Sequence, residues 1–254
     1  MAHMYQRDGY LIIPDLLDAE TLSLARKESA TLCPGERYLC LHFPHKISPL
    51  MRQLALLPRA VTALTEVIGP NVKMMQSMLF IKSSGQPGQA WHQDEAHIPT
   101  RDRSLTAVWI ALDDATVDNG CLWVIPGSHR RGILYPERAQ DDPRFDCTRE
   151  AHGFSDDVAV PVELPAGAAV IFNGYLLHRS LPNTTGGLRR ALVNHYMSAE
   201  SLLPWFPPGP DEPMAGCDHR DILLVAGEDP YAYKGIADLM RPHVRPDRAG
   251  GCVR

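Results

Sequence analysis

No run of about 18 consecutive apolar residues occurs in the chain, so no helix of it is expected to span a bilayer. Met1 to Asp15 also lack the charged-then-apolar pattern of a signal peptide. Net charge is −5 and there is no long basic run. Nucleic acid and anionic membrane, which demand clustered Lys and Arg, are therefore excluded as expected partners. The cysteines, Cys33, Cys40, Cys121, Cys147, Cys217 and Cys252, are scattered and form no CxxC pair. That pattern fits neither a disulfide framework nor a zinc-site spacing, and free thiols in a cytoplasmic, reducing setting are the expectation. Internal repeats and Gly/Ser-rich linkers are missing too, which favours one domain over residues 1–254.

What is present is ordinary in bulk and informative in order. Hydrophobic residues make up 44% and charged residues 22%, as in a soluble globular chain, and 254 residues can enclose one sizeable core. The segment Asp15 to Leu32 has helical spacing, with Leu16, Leu17, Leu22, Leu24 and Ala25 apolar and Asp18 as N-cap. Pro58 and Gly69 bracket a second helix carrying Val61, Leu64, Val67 and Ile68. From Val72 the pattern changes to short runs of β-formers: Val72–Lys82, Leu105–Leu112, Cys121–Ile125, Val158–Leu164, Ala168–Phe172 and Ala191–Met197. Turn residues divide them, so a mainly β sandwich or barrel with helices gathered on one side is expected. The divisions are helices over about 15–70, a β core over about 72–200, and a Pro- and Gly-rich tail over about 201–254 that wraps the surface or closes over the site.

The chemistry concentrates in Trp91-His92-Gln93-Asp94. On a strand, residues two apart share a face, so His92 and Asp94 project together and Gln93 points away. A third metal ligand is best supplied by His178, at the end of the run beginning at Ala168. Two imidazoles and one carboxylate leave three open positions, which suits iron(II) oxygen chemistry. Arg189 follows His178 by eleven residues, across the turn-forming stretch Pro182 to Gly187, and a hairpin would bring it back beside the metal. A guanidinium grips a carboxylate with two parallel charge-assisted hydrogen bonds, as a 2-oxo diacid requires. Ser180, two residues past His178, faces the same side and could add a hydroxyl contact. Arg190 competes with Arg189, since neighbours on a strand face opposite ways.

His92-Gln-Asp94, Ala107 to Asp114, Asn119 to His129, and His178 with Arg189 together resemble the phytanoyl-CoA dioxygenase family, from about Asp8 to Gly235. HxD alone would be weak; the HxD, NG-x-L-x-x-x-PGSH and H-x(10)-R elements in one order are highly specific. The resemblance implies a double-stranded β-helix, a cupin-like jelly roll whose open mouth holds iron. It implies iron ligation by His92, Asp94 and His178, and 2-oxoglutarate contacts from Arg189, Ser180, Trp109 and Met78. The family spacing is what chooses Arg189 over Arg190. Iron(II), 2-oxoglutarate and O2 are thus implied, with ascorbate stimulatory and succinate and CO2 released. A lysine that the family carries on an early strand has no counterpart here: its slot falls near Leu41 and His42. Relatives that halogenate carry Gly or Ala at the position of Asp94, so Asp94 implies hydroxylation, desaturation or ring closure.

Plainer readings stand beside these. Trp109 and Met78 also suit simple core filling, and His129 suits a structural role in its turn. His97 reads as a lining or surface residue; His42, His45, His152, His195 and His219 show no ligand spacing to one another. Asp113 and Asp114 look like a solvated strand end. The two tyrosines of Asp229 to Gly235 could pack the tail or line the mouth. The alternative function is a cupin-type isomerase or dioxygenase that uses no 2-oxo acid, but cupins usually supply an HxH pair, which is missing, and Arg189 has no task in that scheme. The substrate is expected to be a small molecule, polar or anionic, because the loops 33–46, 95–103, 131–157 and 201–220 carry Arg37, Arg101, Arg103, Arg131 and several histidines. Nothing requires a CoA ester, and Gly251-Cys-Val-Arg254 is no peroxisomal address.

Overall fold

The runs of β-formers pair into two antiparallel sheets in a computed structural model that describes residues 2–34, 38–203, 222–236, 238 and 240–246. In chain order the early strands are β1 (Tyr10–Ile13), β2 (Tyr38–His42), β3 (Val72–Lys82), β4 (Gln89–His92), β5 (Thr106–Ala111) and β6 (Leu122–Val124). They are followed by a two-residue pair, β7 (Glu137–Arg138) and β8 (Glu150–Ala151), then by β9 (Val160–Val162), β10 (Ala169–Asn173), β11 (His178–Ser180) and β12 (Arg189–Ser198). The strands β13 (Leu223–Ala226) and β14 (His243–Pro246) lie in the tail. The major sheet runs β1-β10-β5-β12-β3-β2-β14, with β13 also paired to β3; the minor sheet runs β4-β11-β6-β9.

This is a jelly roll, mainly β with flanking helices. The helices are α1 (Ala2–Asp8), α2 (Ala19–Leu32), α3 (Pro49–Leu54) and α4 (Pro58–Val67). Asp18 caps α2 as expected, its carboxylate accepting the Thr21 N–H at 2.7 Å. Pro58 opens α4, where its missing N–H costs nothing. No helix among the described residues is long and apolar enough to cross a membrane.

Side-chain alternation on β5 explains how the layers stack. Val108 and Ile110 join a core with Leu54, Ala60 and Leu64 of the helical side, whereas Ala107, Trp109 and Ala111 join a second core with Leu122, Val124 and Val193 between the sheets. Both faces of β5 are therefore covered, and all six of its residues are buried. On β12, Tyr196 faces the helices and donates its hydroxyl to the Ala55 carbonyl at 2.9 Å.

Several expectations need correction. The stretch 33–46, expected as a mouth loop, contains β2, which pairs with β3 through Cys40, Leu41 and His42. The tail does not simply wrap the surface, because β13 and β14 extend the major sheet. Within it, Asp229 lies 3.7 Å from Lys73 and the Tyr231 ring sits 5.5 Å from the same ammonium, so this part packs against β3. Cys33, Cys40 and Cys121 are free and buried, but Cys147 is disulfide-bonded, contrary to the expectation of thiols throughout. Asp113 is not a solvated end: both its oxygens accept from Arg190 at 2.8 Å, with Arg26 at 3.2 Å. Arg37, Cys217, His219, Cys252 and most of 201–220 lie outside the described residues.

Candidate metal centre and adjoining cavity

His92 is the last residue of β4 and stands directly opposite His178, the first residue of β11. Asp94 is not on the strand. The chain turns immediately after His92, and Asp94 opens a 3-10 turn over Asp94–Ala96. The pairing of His92 with Asp94 therefore comes from a strand end and a turn rather than from strand parity. Gln93 does point away, its side-chain amide donating to the Tyr175 and Ile133 carbonyls and its oxygen accepting the Tyr135 N–H.

The two histidines are held alike. Each bonds a carbonyl two residues upstream through Nδ1, His92 to Ala90 at 2.8 Å and His178 to Leu176 at 3.0 Å. A carbonyl can only accept, so Nδ1 carries the hydrogen and the Nε2 lone pair is left facing the site. Both Nε2 atoms lie 3.6 Å from the same oxygen of Asp94, Oδ1. The three side chains offer donor atoms all within 4.8 Å of one another, and among the described residues they are the one such group that could hold a metal. Burial, reinforced by His178, pushes His92 down to about 3, so its imidazole is neutral near pH 7. Burial alone would raise the Asp94 carboxyl. The imidazoles of His178, His195 and His92 outweigh it and hold the group well below the usual carboxylate range.

These residues form one wall of a cavity with about 540 Å³ of empty volume, lined also by Met78, Phe80, Trp109, Ser180, Arg189 and His195. All the residues expected at the site are thus gathered on one cavity. β12 shows why Arg189 faces it and Arg190 does not. Arg189, Val193 and His195 share one parity and line the cavity, whereas Arg190 turns to the helical side and binds Asp113. Arg189 is 3% exposed, lies 5.5 Å from the Trp109 ring, and leaves its Nε without a partner. Burial lowers its guanidinium to about 10, so it stays charged near pH 7.

Two cavity neighbours were not singled out from the sequence. Lys82 sits directly across the ladder from Arg189, buried, with Nζ donating to Ser180 Oγ at 3.1 Å and to the Leu181 carbonyl at 2.7 Å. Burial first, then Arg189, hold its pKa well below the ordinary lysine value. Its sequence signal was parity, since Met78, Phe80 and Lys82 alternate along β3. Ser180 Oγ also accepts the Gln89 N–H, so its own hydrogen is left to donate into the cavity. The second neighbour is His195, whose Nε2 lies 3.2 Å from Asp94 Oδ2. It shares the parity of Arg189 six residues earlier, and spacing to other histidines could not reveal it.

The remaining candidates fall outside the cavity wall. His129 Nε2 donates to the Gln6 carbonyl at 3.1 Å, tying its turn to α1. His97 is half-exposed, with its ring 6.4 Å from that of His92 and Nε2 3.2 Å from Glu137. Arg103 lies 5.8 Å from the Tyr175 ring, and Arg131 reaches the Tyr135 hydroxyl at 3.5 Å.

A family-wide sequence profile described as phytanoyl-CoA dioxygenase (PhyH) matches residues 5–191. The phytanoyl-CoA dioxygenase domain-containing protein 1 of Danio rerio is 32% identical over 171 residues, 65% of this chain and 58% of that protein. The chain thus spans a little under three fifths of that relative's length. Among solved structures, the non-haem monooxygenase ThoJ superposes with a TM-score of 0.72 at 24% identity, covering 90% of this chain and 84% of the other. The epimerase SnoN, solved with Fe3+, alpha-ketoglutarate and nogalamycin RO, gives 0.68 at 23% identity, covering 84% and 91%. Likeness at this identity speaks to the jelly-roll fold.

Proposed function

The chain belongs to the phytanoyl-CoA dioxygenase family, and from that premise we propose that it is an iron(II)- and 2-oxoglutarate-dependent oxygenase of a small molecule. One observation carries the reading. A buried His-Asp-His group with its nitrogen lone pairs turned inward shares a cavity with a guanidinium that has no carboxylate partner among the described residues. Such a donor set fits ferrous iron, which accepts imidazole and carboxylate together. When bound, the iron and 2-oxoglutarate supply the oxidising chemistry, with succinate and CO2 released and ascorbate expected to stimulate.

The residues have distinct tasks in this reading. His92, Asp94 and His178 hold the metal, and their carbonyl tethers keep both imidazoles in the ligating tautomer. Arg189 binds the far carboxylate of the cosubstrate, and the Ser180 hydroxyl donates to it. Trp109 lies against the guanidinium, and Met78 lines the same cavity. Trp109, Phe172 and Val193 give that chamber an apolar wall, beside which each charge-assisted bond is stronger than in bulk water.

Hydroxylation is our reading of the outcome, with desaturation or ring closure as variants of the same hydrogen abstraction. The substrate is a small polar or anionic molecule, a reading supported by Arg179 and Gln89 on the cavity lining. We take residues 1–254 as one such domain, its major sheet drawing in β1 and β2 before residue 72 and β13 and β14 after residue 200. The free buried thiols favour the cytoplasm, although the Cys147 disulfide speaks against a uniformly reduced chain. Succinate release on adding iron(II), ascorbate and 2-oxoglutarate tests the reading. No succinate, even uncoupled from substrate, would defeat it. A metabolite panel read by mass for a 16 Da gain then separates hydroxylation from the other outcomes.

A further inference from the structure

We propose that His195 is a positioning residue for the metal centre: it binds one oxygen of Asp94 and thereby reserves the other as a single metal-ligating oxygen. The inference rests on the metal site proposed above and concerns a residue outside that ligand set.

Three features of the chain converge on it. The Asp94 carboxylate is divided: Oδ1 lies 3.6 Å from Nε2 of both His92 and His178, while Oδ2 lies 3.2 Å from His195 Nε2. A carboxylate oxygen accepts, so His195 donates Nε2–H. Its Nδ1 is buried with no partner, and a hydrogen there would be an unsatisfied donor while Nε2 turned a lone pair on the carboxylate. The surroundings therefore make Nε2 the donor to Asp94.

The backbone is shaped for this contact. The ladder between β12 and β3 is regular up to His195 opposite Gln76, and then slips so that Tyr196 faces Met74. The extra residue there is Met75 on β3, while β12 stays regular against β5, so His195 keeps the alternation that turns it toward the cavity beside Val193. On its other edge His195 pairs with Ala107, whose small side chain leaves room for an imidazole. The ring is 4% exposed, so water does not compete freely for Asp94.

The consequence concerns how the carboxylate meets the metal. Asp94 follows a strand end, on a turn, and its carboxylate needs a second anchor to hold one orientation. Without His195, Oδ2 would lose its partner and the carboxylate its fixed orientation, so the single oxygen offered to an ion would no longer be defined.

The test uses cobalt(II) as an oxygen-stable probe on the full chain, with affinity by calorimetry and coordination number by visible absorption. His195→Leu should weaken cobalt(II) binding about 10–100-fold, the usual effect of removing a partner of a ligand. It should also alter the cobalt spectrum. His195→Gln, whose amide can still donate near the Nε2 position, should restore most of the affinity and the spectrum. His195→Asn, too short to reach Oδ2, should behave like the leucine variant and replaces it should that variant fail to fold. A purely structural role would lower the melting temperature of all three without this donor-dependent order. Wild-type affinity and spectrum in His195→Leu or His195→Asn, alongside lost binding in Asp94→Ala, overturn the inference and leave the metal site standing. Full binding in Asp94→Ala defeats the metal site, and the inference with it.

Discussion

Replacing Arg189 or Arg190 by methionine should give opposite results in two assays, and that opposition tests which face of β12 does the chemistry. Arg189 is a buried cation with no carboxylate partner among the described residues, and it stands directly across the ladder from a second buried basic side chain, Lys82, whose protonated form it disfavours. Like charges in that position are destabilising, and an unmet burial penalty is on the order of 1–3 kcal/mol. Arg189→Met should therefore leave the melting temperature of the cosubstrate-free protein unchanged or higher. In exchange it should lose a charge-assisted bidentate contact worth about 1.5–3 kcal/mol, raising the 2-oxoglutarate requirement about 10–100-fold.

Arg190 has the reverse ledger. Its guanidinium places Nε and a terminal nitrogen each 2.8 Å from an Asp113 oxygen, with both side chains 16% exposed. Losing those bonds costs about 1.5–3 kcal/mol, softened because Arg26 remains 3.2 Å from Asp113. For a chain of this size that corresponds to a fall of about 3–12 °C in melting temperature. The 2-oxoglutarate requirement should not move. Thermal melts and a succinate-release titration on both variants decide it. If Arg190→Met raises the cosubstrate requirement while Arg189→Met does not, the assignment of the two faces is wrong.

Asp94→Ala should abolish metal uptake and turnover together, since it deletes the only carboxylate of the ligand group; stoichiometric binding in an anaerobic iron(II) titration would refute this. Acid should destabilise the metal-free protein: His92 is lowered to about 3 and His42 to about 4, mainly by burial, both under the ordinary value of about 6.5. The folded state therefore binds fewer protons than the unfolded one, so stability is full above about pH 6.5 and falls toward pH 4. His92 contributes at most about 1.4 kcal/mol per pH unit in that window and the less buried His42 less, and a melting temperature flat across it would contradict the assignment. A methyl group at Gly88 would run into the Ser180 carbonyl oxygen, forcing β4 away from β11. Gly88→Ala should thus cost about 1–3 kcal/mol and weaken metal binding, while Gly186→Ala, with open space around it, should do neither.

The fold was legible wherever one residue pattern had one structural meaning. Val72–Lys82 reads as a strand from its β-formers and is a strand with those same ends. Asp18 and Pro58 announce their helices because capping and proline chemistry are local. The run Arg189–Ser198 begins two residues earlier than its apolar stretch suggested, because two arginines with different partners look alike in sequence. β1 and β2 were not read as strands. They are only four or five residues long, and their pairing partners β10 and β3 are distant in the chain. The metal-ligand candidates were legible through motif order. His195 and Lys82 were not, because each is defined by what it meets across the cavity rather than by its sequence neighbours.

That difference reflects how the two sheets share the work. His92 and His178 belong to the minor sheet, and Asp94 to the turn that leaves it; Arg189, Trp109, Met78 and His195 belong to the major sheet. Ligands on one wall can be aligned by strand pairing alone, as the direct opposition of His92 and His178 shows. Their distance from Arg189 cannot, because among the described residues no strand ladder joins the two sheets. Apolar packing of Trp109, Val124 and Val193 holds the walls together but is indifferent to small sliding motions. Directional bonds resist such sliding, and beside the cavity they include Lys82 to Ser180 and to the Leu181 carbonyl at one end and His195 to Asp94 at the other. A cosubstrate that touches the metal and Arg189 at once needs that spacing fixed within a fraction of an ångström. The residues that fix it are therefore expected to govern cosubstrate affinity as strongly as the ligands govern the metal.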